Sequence, residues 1–306
     1  MPTGIRHRER RGFLRYGGAS LLSGLLGGLL AERTIVGAAA LAGSPNPFRT
    51  IEQSIGGRVG VMALDTRSGH SLQSRPDERF PMCSTFKWLL AAAVLSRSDA
   101  GTLALEKSVS IEGVKPVAYS PVTSTRAPSG SFSVEELCIA AVEQSDNTAA
   151  NLLLSMIDGP AGLTAFLRKV GDPTTRLDRN EPTLNDYIPG ELRDTTTPRA
   201  MVSTLNTLLL GTALATPSRQ RLIAWMKDCK TGLARLRAGL PTVWVTGDKT
   251  GTGDGGSVND LAISWPPGRP PILIACYLNG SKQSVDSLSA AHVRIARIVA
   301  DAFARL

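Results

Sequence analysis

The hexapeptide Met82-Cys83-Ser84-Thr85-Phe86-Lys87 precedes a helix-forming apolar run at residues 88–95. In a helix, residues three apart lie on one face, so Ser84 and Lys87 would present a hydroxyl and an amine to the same point. A serine hydroxyl becomes a good nucleophile only when a neighbouring base takes its proton, and a helix N-terminus favours the anionic intermediate that follows. The alternative is a serine N-cap followed by a lysine on a solvated face. The motif alone leaves both interpretations open.

Strand patterns lie at both ends of the chain, on either side of this segment. Near the N-terminus, apolar and polar residues alternate on both sides of the turn sequence at 66–69, which predicts a β-hairpin. The predicted strands are 58–65, 70–75, 243–250, 259–265 and 272–279. A short helix at 47–55 precedes them, and an amphipathic helix at 287–306 ends the chain. We therefore expect an α/β fold whose five-stranded sheet is completed by both ends of the chain.

The middle of the chain has apolar residues at helical spacing. The predicted helices are 84–96, 133–144, 147–157, 162–170 and 197–210. A polar loop at 173–196 interrupts them, and a loop of this length in a compact domain usually has a function. We expect an α/β domain formed by 43–80 and 227–306, and an inserted all-α domain at 81–226 that includes this loop. A ligand site is expected where the two domains meet.

Charge and cysteine content exclude several classes of partner. The formal net charge is +8, but half of it comes from residues 1–42, and the rest of the chain has no basic run, so nucleic acid binding is not expected. The four cysteines and three histidines do not have metal-ligand spacing, so we expect free thiols, no metal site and no cofactor. Gly251, Gly253 and Gly256 satisfy GxGxxG but lead into a strand, which contradicts a dinucleotide site.

The first 42 residues indicate export. Arg10-Arg11-Gly12-Phe13-Leu14-Arg15, followed by a glycine-rich apolar run at 19–31, resembles a twin-arginine signal peptide. The apolar run is shorter than the roughly 20 residues that span a bilayer, which argues against a membrane anchor. We expect cleavage after Ala42, with Ala31 and Ala40 as alternatives. The mature protein is expected to be periplasmic or secreted, without a membrane attachment.

Four further segments accompany the serine–lysine motif in a fixed order. They are Tyr119-Ser120-Pro121-Val122, Ser145-Asp146-Asn147, Glu181-Pro182-Thr183-Leu184-Asn185 and Lys249-Thr250-Gly251. Each is short, but together with SxxK they resemble the motif set of the class A β-lactamases. The resemblance covers essentially the whole chain after residue 42. It implies a five-stranded antiparallel sheet flanked by helices with an inserted all-α domain, and a β-lactam as the substrate.

The resemblance also implies roles for the residues that react. Ser84 would attack the lactam carbonyl, and the backbone N–H groups of Ser84 and Thr252 would form the oxyanion hole. Lys87 and Glu181 are both candidates for the base that takes the Ser84 proton. Glu181, holding a water together with Asn185, would be the base for deacylation.

Other residues would bind the substrate or hold the site. Ser145 would pass a proton to the lactam nitrogen, Lys249 would attract the substrate carboxylate, and Asn147 would bond the acylamide side chain. Thr250, Thr252, Tyr119 and Arg235 complete the expected substrate-binding set. Tyr119 could equally be ordinary packing, and Arg235 a surface arginine. Arg179 and Asp194 would form a structural ion pair that closes the loop at 173–196.

Two cysteine positions depart from patterns found in the family. A disulfide often links the SxxK and SDN helices, but here Cys138 would face Ala91. Carbapenem-hydrolysing members often pair the cysteine before the nucleophile with one after the KTG motif, but Cys83 here would face Gly253. We therefore expect neither disulfide, and carbapenem hydrolysis is less expected than that of penicillins and cephalosporins.

Related proteins with the same motifs give two alternative functions. A D,D-peptidase or penicillin-binding protein is acylated and then stalls, and so does a β-lactam sensor domain. Glu181 and Asn185 argue against both because they form the deacylation apparatus. No dimer signal is present, so a monomer is expected.

Overall fold

The computed structural model of the protein describes residues 46–127 and 129–304. The predicted signal sequence at 1–42 lies outside the described residues. The strands of the described part are, in chain order, β1 Arg58–Asp65, β2 Ser71–Ser74, β3 Phe80–Pro81, β4 Ser108–Ser110, β5 Ser131–Ser133, β6 Thr195–Thr196, β7 Val245–Gly253, β8 Ser257–Trp265 and β9 Ile272–Asn279.

The main sheet has the strand order β2-β1-β9-β8-β7, and every neighbouring pair is antiparallel. The N-terminal hairpin forms one edge and the KTG strand β7 forms the other. Both ends of the chain therefore contribute to one sheet, which confirms the predicted five-stranded antiparallel architecture. Two short ladders lie outside this sheet, β3 with β6 and β4 with β5. The first joins the residues before Ser84 to the end of the loop at 173–196.

The helices surround this sheet. In chain order they are α1 Arg49–Ile55, α2 Phe86–Asp99, α3 Val134–Glu143, α4 Asn147–Ser155, α5 Gly159–Lys169, α6 Pro198–Leu205, α7 Thr216–Lys227, α8 Leu236–Gly239 and α9 Val285–Ala304. α3 begins with a reciprocal capping box in which Ser133 and Glu136 each bond the other's backbone N–H. No single helix among the described residues is long and apolar enough to cross a membrane, although α4 and α5, with a 75° bend between them, have the length and composition for it together.

The sheet separates two hydrophobic clusters. Side chains alternate across β9, so Ile274 and Cys276 pack in one cluster while Ala275 and Tyr277 pack in the other. One cluster is covered by α1, α8 and α9, and the larger one by the helices between β2 and β7. At the centre of the larger cluster, α2 is buried along its entire stretch from Phe86 to Leu95, as expected for a helix that is apolar on all sides.

The short strands β3 to β6 were not predicted, and the strand predicted at 243–250 is β7, which extends to Gly253. Three further differences concern helices. Ser84 lies in a separate 3₁₀ turn, Cys83–Thr85, before α2 begins at Phe86. The helix predicted at 197–210 changes after Leu205 into a π-helical turn, Asn206–Leu210. Helix α7 was not predicted, because its first half is mostly polar and few of its side chains are buried.

Candidate active site

The 3₁₀ turn places the Ser84 hydroxyl between helix α2 and the loop at 173–196. Cys83, immediately before it, has φ of +46°, a conformation that non-glycine residues rarely adopt. Ser84 Oγ lies 2.9 Å from Lys87 Nζ and 3.3 Å from Glu181 Oε1. A backbone strained in this way at a reactive group is typical of functional sites. The predicted pairing of Ser84 with Lys87 is therefore present, and Glu181 joins it from the distant loop.

Lys87 is fully buried at the centre of this cluster. Its Nζ lies 2.9 Å from Glu181 Oε1 and donates to Ser145 O at 2.8 Å and to Asn147 Oδ1. Burial lowers the pKa of Lys87, and the nearby Glu181 carboxylate opposes that shift. Burial has the larger effect, so the neutral amine is easier to reach here than in an exposed lysine.

Lys249 and Ser145 form a second pair beside the first. Lys249 extends from β7, donates to Ser145 Oγ at 3.0 Å and is fully buried. Burial lowers the pKa of Lys249 to about 8, and the charge on Lys87 contributes to this shift. Ser145 has φ of +58° and lies within 3.5 Å of Lys87 Nζ. Its hydroxyl thus connects the two buried lysines.

The middle residue of the SDN motif, Asp146, organises the rim of the site. It caps α4 by accepting from Ala149 N at 2.8 Å, and it also accepts from the backbone N–H groups of Val122 and Thr123, both at 2.9 Å. The sequence prediction assigned no role to this aspartate, although its place before a helix is an N-cap signal. Asp146 therefore fixes the segment that contains Tyr119 against α4.

Asn147 and Tyr119 meet at this rim. Asn147 Nδ2 donates to Ala118 O at 2.8 Å, and Asn147 N donates to Tyr119 O at 3.0 Å. The Tyr119 side chain is 61% exposed and its φ is +59°, so it does not belong to the hydrophobic core. An exposed aromatic held by a strained backbone fits a surface for ligand contact better than ordinary packing.

The loop at 173–196 supplies Glu181, which is buried and follows a well-anchored path. Glu181 Oε2 accepts from Asn185 Nδ2 at 2.6 Å, and the peptide bond from Glu181 to Pro182 is cis. Asn151 bonds both backbone groups of Glu181, its Nδ2 donating to the carbonyl at 2.9 Å and its Oδ1 accepting from the N–H at 3.0 Å. The sequence prediction missed Asn151, although it lies one helical turn after Asn147. Asn185 Oδ1 is buried and has no partner among the residues that the structure describes.

The expected ion pair at the base of the loop is present. Arg179 Nε lies 2.6 Å from Asp194 Oδ2. Asp194 Oδ1 additionally accepts from the backbone N–H groups of Asp178 at 2.7 Å and Arg179 at 3.0 Å. Asp194 is almost completely buried, so its charge depends on these partners.

Arg235 reaches the KTG strand from the segment before α8. Its Nη2 donates to Thr252 Oγ1 at 2.7 Å, and its Nη1 donates to Gly251 O at 2.9 Å and to Asn259 O at 2.7 Å. Arg235 is 6% exposed and Thr252 is exposed. The arginine therefore borders the exposed edge of β7 and is not a surface residue.

A chain of polar groups beneath this edge was not foreseen from the sequence. Thr250 Oγ1 shares a 2.5 Å hydrogen bond with Thr231 Oγ1, and Cys229 Sγ lies 3.3 Å from the same Thr231 oxygen. Asp248, buried on β7, pairs with Arg237. Burial raises the pKa of Asp248, and Arg237 opposes that shift.

Close packing explains the glycine of the KTG motif. A Cβ at Gly251 would lie 2.6 Å from the carbonyl oxygen of Met82 and 3.1 Å from Thr85 N, so only glycine lets β7 approach the Ser84 turn. The backbone of β7 thus runs directly beside the nucleophile. No group of three or more His, Cys, Asp or Glu side chains within the described ranges could hold a metal ion.

The comparison with known proteins agrees with this geometry. The sequence model of the Beta-lactamase enzyme family matches residues 46–303. The chain is 48% identical to the carbapenem-hydrolyzing β-lactamase KPC of Klebsiella oxytoca, over 82% of this chain and 86% of that protein. A solved ancestral class A β-lactamase superposes with a TM-score of 0.82 at 54% identity, covering 84% of this chain and 98% of that structure. The chain belongs to the class A β-lactamases. It is therefore a serine hydrolase of cyclic amides that opens the β-lactam ring, an activity that confers antibiotic resistance.

A second relative extends the match along the chain. This class A β-lactamase is 44% identical to β-lactamase CTX-M-8 of Citrobacter amalonaticus, over 88% of this chain and 94% of that protein.

The four cysteines of the present chain are all buried and unpaired. Cys83 Sγ faces Gly253 and Cys138 lies in the core, as expected from the sequence departures described above.

Proposed function

We propose that this β-lactamase works through an acyl-enzyme on Ser84. The observation that carries the proposal is that Ser84 Oγ lies within hydrogen-bond reach of both Lys87 Nζ and Glu181 Oε1. In acylation the Ser84 oxygen forms a bond to the lactam carbonyl carbon while its proton passes to a base. The backbone N–H groups of Ser84 and Thr252 bind the carbonyl oxygen, whose negative charge grows in the transition state.

Either of two groups can take the proton from Ser84. Lys87 is close enough, and its lowered pKa makes the neutral amine accessible. Glu181 is close enough to act directly or through one water. The acylation rate of Glu181→Gln separates the two, since that variant retains Lys87 as the only candidate base.

The second half of acylation breaks the carbon–nitrogen bond of the ring. Ser145 donates its proton to the departing nitrogen and is resupplied through Lys87, which lies within 3.5 Å. Lys249 holds the Ser145 oxygen and attracts the substrate carboxylate. Ser145 is therefore proposed as a proton relay, since its hydroxyl both donates and accepts.

Deacylation requires a water that attacks the ester carbonyl. Glu181 takes a proton from this water, the bond from Ser84 Oγ to the carbonyl breaks, and Ser84 recovers a proton. Asn185 Oδ1, which is buried and has no partner in the part of the chain that the structure describes, supplies a second acceptor for the same water. Asn151 holds the Glu181 backbone on both sides, so we propose it as a positioning residue for this base.

The remaining groups bind the substrate. Lys249, Thr250, Thr252 and Arg235 surround the place of the substrate carboxylate, which favours charge-assisted hydrogen bonds. Asn147 bonds the acylamide of the substrate, and Tyr119 forms a wall of the cleft. We propose penicillins and cephalosporins as substrates, since this cleft meets the ring, carboxylate and acylamide that both classes share.

The test is a pair of variants followed by intact mass after brief mixing with a penicillin. Glu181→Gln should be acylated and remain trapped, with a mass increase equal to that of the penicillin. Ser84→Ala should give no covalent adduct. Rapid turnover by Glu181→Gln would contradict the deacylation role, and an adduct on Ser84→Ala would place the nucleophile elsewhere. A stable adduct on the unmodified enzyme would instead indicate a peptidase or sensor.

Class A β-lactamases are generally exported, and we propose the twin-arginine route for this one. Arg10 and Arg11 in the leader support the proposal. Replacing both with lysine should keep the enzyme activity inside the cell, whereas Arg6→Lys should not. Unchanged export of the double variant would refute this route.

We propose that the mature enzyme is a monomer, which sedimentation equilibrium would test.

A further inference from the structure

A cavity of about 120 Å³ lies under the loop that carries Glu181. Its volume is several times the roughly 10–15 Å³ that one water needs, so it can hold a compact ligand but not a nucleotide. One side is formed by β3 and the residue before it, and the other by loop residues between Arg179 and Thr195. Four arginines line it, namely Arg58, Arg79, Arg179 and Arg193, together with two carboxylates, Asp186 and Glu191, and we call it the arginine cavity.

Three of these arginines already have carboxylate partners. Arg58 pairs with Glu78 at 2.9 Å, Arg193 with Glu191 at 2.6 Å, and Arg179 with Asp194 at 2.6 Å.

Arg79 is different. Within the described ranges no carboxylate oxygen lies within 4.0 Å of its guanidinium. Its Nη1 donates only to neutral acceptors, Thr174 O at 3.0 Å and Thr195 Oγ1 at 2.9 Å. It is the cavity arginine whose charge is not balanced by a partner in contact with it.

The surroundings of Arg79 add to this imbalance. Burial lowers the pKa of Arg79, and the positive charges of Arg176 and Arg168 lower it further, while Asp172 opposes the shift. A guanidinium in this position is stabilised by an added negative charge. Planar guanidinium groups are also well suited to bind oxyanions through two parallel hydrogen bonds.

We propose that the arginine cavity binds a compact, doubly charged oxyanion of the phosphate or sulfate type, with Arg79 as its principal ligand. The bound anion bridges Arg79, which precedes β3, to Arg193 on the loop. It therefore stabilises the loop that carries Glu181. The proposal does not depend on the catalytic roles assigned above, because none of the residues in the proposed bridge takes part in them.

The experiment measures thermal unfolding in phosphate and in chloride at equal ionic strength and pH. We expect phosphate to raise the midpoint of the native enzyme saturably, by about 3 °C at ten times its Kd. Arg79→Gln should lose this increment. Arg219→Gln is the matched control: among residues 46–127 and 129–304, Arg219 also bonds only a carbonyl, Gly211 O, and a hydroxyl, Thr216 Oγ1, but it does not line the cavity. That control should keep the full increment.

Sulfate and phosphate also stabilise proteins by exclusion from the surface, and that effect neither saturates nor depends on one residue. A rise that stays linear with concentration, or that is equal in Arg79→Gln, would overturn the proposal. If Arg79→Gln does not fold, the ³¹P line width of inorganic phosphate titrated with the native enzyme decides. Saturable broadening that sulfate removes supports the site, and unchanged line width excludes it.

Discussion

At the residue scale, the active site depends on charges that are buried and closely spaced. Lys87, Lys249 and Glu181 are all nearly or fully buried. Lys87 contacts both the Ser84 hydroxyl and Glu181, and Lys249 contacts the Ser145 hydroxyl. Burial makes the charges of Lys87 and Lys249 sensitive to pH and to their partners, because desolvation penalises the ionised form. The consequences can be measured at individual residues.

Deprotonation of Lys249 should make the kcat/KM of the enzyme fall at alkaline pH. Its pKa is lowered to about 8, so it is charged below that pH and neutral above it. With an anionic substrate, kcat/KM should be about tenfold lower at pH 9 than at pH 7, because one required proton has been lost. Lys249→Arg keeps the positive charge, so its kcat/KM should not fall over this pH range. A native profile that stays flat to pH 9.5 would contradict the assignment.

The same shift affects stability with a defined sign. The folded pKa of Lys249 lies below its ordinary value of 10.5, so the unfolded chain binds this proton more tightly. Its contribution to the free energy of unfolding therefore rises as pH increases from about 8 to 10.5.

Replacing Gly253 with cysteine would place a second thiol beside Cys83. A Cβ at this position would lie 2.7 Å from Cys83 Sγ, too close for an unbonded contact but compatible with an S–S bridge. We expect Gly253→Cys to form the bond to Cys83 on oxidation. Gly253→Ala, the control, adds only the crowding and should lower stability by about 1–3 kcal/mol. The measurement is the number of cysteines alkylated after the oxidised Gly253→Cys protein is denatured without reductant. If every cysteine reacted, no disulfide would have formed and the prediction would be wrong.

At the element scale, the loop at 173–196 is held at several points and not by its own regular structure. Within it the structure has only the 3₁₀ turn Thr183–Asn185 and the two-residue strand β6. The ion pair of Arg179 with Asp194 closes its base, and Asn151 holds it to α4. The position of Glu181 therefore depends on side chains that anchor the loop from both sides.

Breaking the ion pair should loosen the loop. In Arg179→Gln the nearly buried Asp194 loses its cationic partner, a change that typically costs about 3–5 kcal/mol for a buried pair. We expect faster amide exchange in the loop and a larger fall in deacylation than in acylation, measured by burst kinetics. Arg193→Gln breaks only a solvent-exposed pair with Glu191, so its loop exchange and deacylation should stay close to those of the native enzyme. Equal losses in the two variants would contradict the anchoring role.

At the scale of the whole molecule, one sheet connects the two ends of the chain and divides the core in two. The side chains that form the two hydrophobic clusters are almost fully buried. The four cysteines lie buried as thiols. Burial raises the pKa of Cys83 to about 12 and also raises that of Cys138, so the reactive thiolate is rare at both. The fold is therefore stabilised by packing without covalent cross-links.

This packing predicts a protein that folds in a reducing environment. Refolding with excess dithiothreitol should restore full activity, and the thermal midpoint should be the same with and without reductant within error. Gly253→Cys provides the contrast, since its midpoint should depend on reductant. A native midpoint that falls in dithiothreitol would show that a disulfide contributes to stability.

The sequence by itself determined the parts of the protein that depend on local spacing. The alternation of apolar and polar residues in β1 and β2, the turn between them, and the three-residue spacing of Ser84 and Lys87 are properties of neighbouring residues, and they predicted the N-terminal hairpin of the sheet and the reacting pair. The order of the motifs indicated the family before any geometry was known. Helix α7 escaped prediction because its first half is polar, so its local pattern is weak.

Only the tertiary structure decided which distant groups meet. Asn151 holds Glu181 across 30 residues of chain, Arg235 reaches Thr252 across 17, and Arg79 meets Thr195 across 116. No pattern of neighbouring residues contains these contacts, because they form when the loop and β7 pack against the helices. Burial then sets the charge state of Lys87 and Lys249, since desolvation depends on what surrounds a side chain and not on its place in the sequence.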